Sequence, residues 1–173
     1  MKVRDIMIQD VYTAKSSDSV RTVLEKFAQL GISGMPIIDD ERRLVAYISD
    51  GDIMRFLGRH GNHGFSSYIS LIGYYYGVSL IDAPEAMGLP ENREEMVDDL
   101  KQNVLYICTK NVLEVGTKRV ISVAEDDDMV QVAEILAKKR IKKVPVTSSG
   151  KLVGIISRGD VVRAVVKEFL SLQ

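Results

Sequence analysis

The chain has 173 residues, of which 46% are hydrophobic and 27% charged, and its formal net charge is −1. That balance describes a folded globular chain, long enough for one ordinary domain or two small ones sharing a core. The near-zero charge offers no global field for nucleic acid or an acidic membrane. A single cysteine, Cys108, excludes an intrachain disulfide and a multi-cysteine metal site, and fits a reducing, cytoplasmic setting.

Residues 1–19 lack the apolar core of a signal peptide. Residues 3–7 read as a lead-in to a short strand at 11–13, and the polar stretch around Asp18 suits a helix cap. Val20, Val23, Leu24, Phe27 and Leu30 recur at helical spacing, and Gly31 supplies a stop. Residues 32–38 read as a strand entered through a Gly/Pro step, 39–43 as a charged hairpin turn and 44–48 as the next strand. Asp52 then opens a second helix that runs to 57.

The same order returns near the C-terminus. Val112, Val120, Ser122, Val132, Ala137, Ile141 and Pro145 stand 109 positions after Val3, Val11, Thr13, Val23, Ala28, Ile32 and Pro36. The second hairpin turn, at 147–151, is one residue shorter. Beyond it the offset is 108: Leu152, Ile156, Ser157, Gly159, Asp160 and Arg163 repeat Leu44, Ile48, Ser49, Gly51, Asp52 and Arg55. This is an internal duplication of a β-α-β-β-α unit. One copy alone buries only a modest core, so the expected fold is α/β (α+β), two repeats packed with pseudo-twofold symmetry. The expected boundaries are 1–57 for the first repeat, 58–110 for a helical insertion and 111–173 for the second repeat.

Within the insertion, 58–64 reads as a Gly-rich turn, 65–80 as helical and 82–91 as irregular. Residues 92–105 read as an amphipathic helix. The charge-free run at 65–81 is diluted by serines, glycines and tyrosines. It falls short of the roughly 20 apolar residues of a spanning helix, so no membrane segment is expected. Tyr74, Tyr75 and Tyr76 are expected to pack against the module or a second subunit, and Cys108 to sit in the core.

Each repeat carries Ser-x-Gly-Asp between a strand and a helix, and two chemistries fit it. As a cap, Ser49 and Ser157 satisfy helix N–H groups while Asp52 and Asp160 suit the positive end of the helix dipole. As a binding site, the exposed N–H groups and hydroxyl take a phosphate. The acceptor-only carboxylate then takes two hydrogen bonds from a ribose diol. Ile32, Met35 and Pro36, or Ile141, Val144 and Pro145, supply faces for a flat base, whose edge the backbone at Gly34 or Lys143 can read.

The duplicated pattern I-S-G-M-P-I-I with Y-I-S-D-G-D, and I-K-K-V-P-V with I-I-S-R-G-D, resembles a tandem cystathionine-β-synthase (CBS) domain pair, or Bateman module. The resemblance spans about two thirds of the chain. It implies clefts between the repeats that bind AMP, ADP, ATP or S-adenosylmethionine, and dimerisation through helices. Carried over by position, it implies Asp52 and Asp160 as ribose acceptors and Ser49 and Ser157 on the phosphate side. Tyr47 and Ile155 fall beside the base, Ile32–Pro36 (with Ser33 and Gly34) and Ile141–Pro145 (with Lys142 and Lys143) around it, and Thr13 and Ser122 on the first strand. Arg158 replaces Asp50 of the first repeat, and Lys142 and Lys143 replace Ser33 and Gly34. The Asp160 turn is therefore expected to hold phosphorylated ligands more tightly.

Other features carry less chemistry. The basic run 138–143 lacks interleaved aromatics for stacking bases and lies at a helix end, so nucleic acid is not an expected partner. His60 and His63 lack nearby carboxylates and are not expected to bind a metal. Asp126, Asp127 and Asp128 read as an N-cap. No nucleophile–base arrangement stands out. The expectation is a non-catalytic regulatory module that needs no cofactor, forms a homodimer and acts on an effector protein. The alternatives are a structural dimerisation module without ligand and, more remotely, an enzyme completed by the insertion.

Overall fold

A computed structural model describes residues 1–60 and 93–171. The first repeat contains a 3-10 turn Val3–Asp5, strand β1 Ala14–Lys15, helix α1 Val20–Leu30, strands β2 Gly34–Ile38 and β3 Leu44–Ser49, and helix α2 Asp50–His60. Helix α3, Arg93–Cys108, belongs to the insertion. The second repeat contains the short helix α4 Val112–Val115, β4 Val123–Ala124, α5 Met129–Lys138, β5 Lys143–Ser148, β6 Lys151–Ser157 and α6 Arg158–Ser171. The two three-stranded sheets have the same topology, β1-β2-β3 and β4-β5-β6. In each, the first strand pairs in parallel with the second, Ala14 opposite Ile37 and Val123 opposite Val146.

Local sequence sets the element ends. Ser19 caps α1 by accepting from the Thr22 amide, and Gly31 closes it at φ 62°, where a β-carbon is unfavourable. Asp128 caps α5 through the Val130 amide, while Asp127 accepts from the Ala124 amide and Asp126 pairs with Arg4. Only one of the three aspartates is therefore the cap. Ser149 and Gly150, at φ 49° and 78°, form the two-residue hairpin that joins β5 to β6. The first hairpin is held instead by Asp39, which accepts from the Glu41 and Arg43 amides and from Arg43 Nε at 2.6 Å.

The chain divides into two compact units. The first comprises Met1–Ser16, Met35–Tyr47 and Lys118–Gln173, and the second Ser17–Gly34 and Ile48–Thr117. In the first unit, Val3, Val132, Leu136, Val144, Val146 and Ile156 belong to one buried cluster. The hairpin tips meet there, with the Leu44 amide donating to the Gly150 carbonyl and the Leu152 amide to that of Arg42. Ile8 pairs with Ile155 through two 2.9 Å backbone hydrogen bonds, so the N-terminal segment extends the β6 edge. In the second unit, α3 packs on α1 and α2, and Val20, Ile53, Leu57, Ile107 and Val112 are buried.

Several expectations shift. The first strand of each repeat begins one residue after Thr13 and Ser122 rather than containing them. Helix α2 starts at Asp50, two residues before Asp52, and α3 continues to Cys108. Cys108 is half-buried at the end of α3 rather than in the core. The readings of 61–91, with Tyr74–Tyr76 and His63, lie outside the described residues, as does the side chain of His60.

Gly154 carries the closest approach to β6. A β-carbon there would stand 2.5 Å from Met7 Sδ and 3.1 Å from the Ile8 carbonyl oxygen. The matching residue of the first repeat is the buried Ala46. Gly154→Ala is expected to cost about 1–3 kcal/mol, read as a lower urea midpoint with an unchanged slope. An unchanged midpoint would mean that the N-terminal segment is not seated on β6.

Candidate functional site

Both Ser-x-Gly-Asp turns form where a strand passes without a loop into a helix, β3 into α2 and β6 into α6. In the second repeat, Asp160 is 8% exposed and its Oδ2 accepts from the Ser157 amide at 2.8 Å and the Ser157 hydroxyl at 2.6 Å. The Asp160 amide reaches back to Ser157 Oγ at 3.3 Å. Arg163, three residues on along the same helix face, donates Nη2 to the other carboxylate oxygen. Burial opposes ionisation of Asp160, but hydrogen bonds from the Ser157 hydroxyl and amide and from Arg163 hold its carboxyl below the usual aspartate range.

The first repeat reproduces this geometry within the second unit. Asp52 Oδ2 accepts from the Ser49 amide at 2.8 Å and hydroxyl at 2.6 Å, and Oδ1 accepts from Arg55 Nη2 at 2.6 Å. A further donor reaches it: Thr117 Oγ1 stands 2.8 Å from Oδ1. At the 109-residue offset, Thr117 matches Ile8, which has no hydroxyl. A β-carbon at Gly159 would lie 3.2 Å from Arg163 Nη1, a tight approach, whereas one at Gly51 would make ordinary contact with Arg55 Nη1 at 3.4 Å.

Arg158 turns elsewhere. Its Nη2 donates to the Leu136 carbonyl in the last turn of α5 at 3.3 Å, and its Nε to the Ile141 carbonyl just beyond that helix at 2.9 Å. The guanidinium therefore steadies the start of the 141–145 segment, with its Nε and Nη2 on carbonyl oxygens. Lys142 and Lys143 are exposed, and the Lys142 carbonyl accepts from the Arg158 amide, as the Ser33 carbonyl does from Asp50.

The second-repeat candidates Ser122, Ile141, Lys142, Lys143, Val144, Pro145, Ile155, Ser157, Arg158 and Asp160 all lie in the first unit. Those of the first repeat divide: Thr13, Met35, Pro36 and Tyr47 lie in the first unit, and Ile32, Ser33, Gly34, Ser49 and Asp52 in the second. Val144 and Pro145, like Met35 and Pro36, are buried, while Tyr47 and Ile155 are half-buried and Ser122 is exposed. Sequence reasoning missed Thr117, Arg55 and Arg163 as partners of the carboxylates. The arginines carried a signal, three residues after Asp in both repeats; Thr117 carried none, because it lies 65 residues from Asp52.

Comparison with known proteins agrees with the duplication. The family model of the CBS domain matches residues 3–59 and again 112–167. The chain belongs to the CBS-domain family. An uncharacterised protein of Methanocaldococcus jannaschii, MJ1426, is 30% identical to this CBS pair over 167 residues, covering 96% of this chain and 92% of that one. The chloroplastic CBS domain-containing protein CBSX1 of Arabidopsis thaliana is 28% identical over 165 residues, which are 92% of this chain and 61% of CBSX1. The fold is shared with the solved structure of Arabidopsis thaliana CBSX2 in complex with AMP, at TM-score 0.64, 23% identity and 96% coverage of each chain. It is shared as well with the CBS domain pair of protein MJ0100 in complex with 5′-methylthioadenosine and S-adenosyl-L-methionine, at TM-score 0.60, 22% identity and coverage of 97% and 98%. Among the described residues, no helix is long and apolar enough to cross a membrane.

The depressed Asp160 pKa sets the sign of an acid effect in this CBS pair. A folded value below the unfolded one, near 3.9, adds stability that is complete above that value and is lost as pH falls through the folded value. Asp160→Asn is therefore expected to flatten the fall in unfolding midpoint as the pH drops below about 5. An acid limb as steep as that of the wild type would contradict the assigned contacts.

Proposed function

We propose that the protein is a regulatory, ligand-sensing CBS pair that binds an adenosine-containing ligand, AMP, ADP, ATP or S-adenosylmethionine, at its Ser-x-Gly-Asp turns. The observation that carries this reading is the repeated buried carboxylate, held in one orientation by Ser157 or Ser49 at the start of a helix. A ribose diol presents two O–H donors to such an acceptor. The adjoining helix N-terminus and serine hydroxyl suit an anion, and the buried Val144 and Pro145 suit the face of a base. The AMP bound to CBSX2 and the two adenosine compounds bound to the MJ0100 pair support the choice of ligand. The module requires no cofactor and acts by passing ligand occupancy to an effector protein, as a cytoplasmic homodimer.

Ligand entry exchanges hydrogen bonds rather than adding them to a bare carboxylate. At Asp160 the diol competes with Arg163 for Oδ1, and at Asp52 with both Arg55 and Thr117. The two turns therefore differ in what a ligand must displace. The freed arginine becomes available to the ligand's anionic end.

One observation favours the second reading, a dimerisation module without ligand. Val162, Val165, Val166 and Leu170 are 48–60% exposed at helical spacing along α6, an apolar stripe suited to a second helix.

Thermal unfolding with each nucleotide separates the readings. A ligand at 100 times its Kd should stabilise the protein by about 2.7 kcal/mol, a rise of a few degrees. Asp160→Ala and Asp52→Ala should each weaken the affinity of their own turn by about 10- to 100-fold in calorimetric titration. No shift with any adenosine ligand would leave the structural module as the function.

A further inference from the structure

The second unit contains a cavity of about 430 Å³ whose lining includes Asp52. Its wall along α2 is Asp52, Arg55, Phe56 and Arg59, positions i, i+3, i+4 and i+7, which share one helix face. Tyr106 and Lys110 of the insertion line the cavity as well, the Tyr106 ring 6.2 Å from that of Phe56. Glu114 and Thr117 complete the polar lining.

Charge runs along this wall. Three cations, Arg55, Arg59 and Lys110, face two carboxylates, Asp52 and Glu114. Arg55 is bound to Asp52 at 2.6 Å, whereas Lys110 stands 3.9 Å from Glu114 and lies over the Tyr106 ring at 4.4 Å from its centroid. The backbone of Lys110 is fixed, because its carbonyl accepts from the Val20 amide and its amide donates to the Ile107 carbonyl. Arg59 lies seven residues beyond Asp52, about 10 Å along the helix at 1.5 Å per residue. Arg55 is the cation already paired with Asp52, and Arg59 and Lys110 are the further cations that line the same cavity.

We propose that the Asp52 cavity selects nucleoside di- and triphosphates over the monophosphate and over S-adenosylmethionine. Arg59 and the insertion's Lys110 grip the distal phosphates. This rests on the reading above that Asp52 accepts the ribose. It adds that the insertion turns one of the two duplicated sites into a reader of phosphate-chain length. The excess of three cations over two carboxylates disfavours a sulfonium and an ammonium group and favours a polyphosphate, which can take charge-assisted hydrogen bonds from Arg59 and Lys110. The preference for phosphorylated ligands thus falls at Asp52, not at the Asp160 turn, where Arg158 is bound to carbonyl oxygens.

Both distal cations are on the surface or half-exposed, so Arg59→Gln with Lys110→Gln leaves the buried core intact. Calorimetric titration of the full chain compares AMP, ATP, S-adenosylmethionine and inorganic tripolyphosphate on the wild type and this double variant. ATP is expected to bind at least about tenfold tighter than AMP to the wild type. The double variant should lose about tenfold or more for ATP and tripolyphosphate, but less than about threefold for AMP. Equal affinities for AMP and ATP in the wild type, or equal losses for both in the variant, would overturn the proposal. Tripolyphosphate binding that the variant abolishes, without binding of AMP or ATP, would uphold the polyphosphate grip and overturn the adenosine reading instead.

Discussion

A carboxylate removed from water is costly unless its lone pairs are met by donors, and this fold buries one at the start of each repeat's second helix. At Asp160 and Asp52 the same two donors, the amide and hydroxyl of the serine three residues earlier, meet one oxygen and thereby fix the strand-to-helix turn. The other oxygen faces an arginine on the next turn of the helix. One oxygen is structural, and the other is held by side chains that an incoming ligand can replace. In the proposed reading, capping and binding fall to different atoms of the same group.

The duplication makes the differences between copies informative. Thr117 supplies Asp52 with a donor that Ile8, its counterpart, cannot supply to Asp160. Arg158 and Asp50, counterparts in the two turns, both use their amides on the preceding segment, but only Arg158 sends its side chain to the carbonyls of Leu136 and Ile141. The insertion helix α3 packs on α1 and α2, and Tyr106 in its last turn lines the Asp52 cavity together with Lys110 just beyond it. Equal motifs thus sit in unequal surroundings.

Much of this was legible in the residues. The offset of 109 and then 108 marks two copies, because identities recur in core and turn positions alike, and Ser19, Gly31 and Asp128 stand where helix-capping chemistry requires them. Periodicity could not show that the first strands are two residues long, since Val11 and Val120 continue an apolar pattern that the backbone does not pair. Nor could it show the direction of Arg158, because an arginine beside a turn has carbonyl and phosphate partners equally within reach of its long side chain. Thr117 was invisible for a different reason: its contact with Asp52 exists only after 65 residues of chain have folded back.

The central claim is that the arginine-held oxygen of a turn carboxylate exchanges that contact for a ribose diol. A crystal structure of the protein grown with ATP tests it directly. The account predicts both ribose hydroxyls within hydrogen-bond distance of Asp52 or Asp160, with Arg55 or Arg163 displaced from that oxygen and the serine contacts unchanged. Nucleotide bound away from both carboxylates, with the arginine contacts intact, would contradict it.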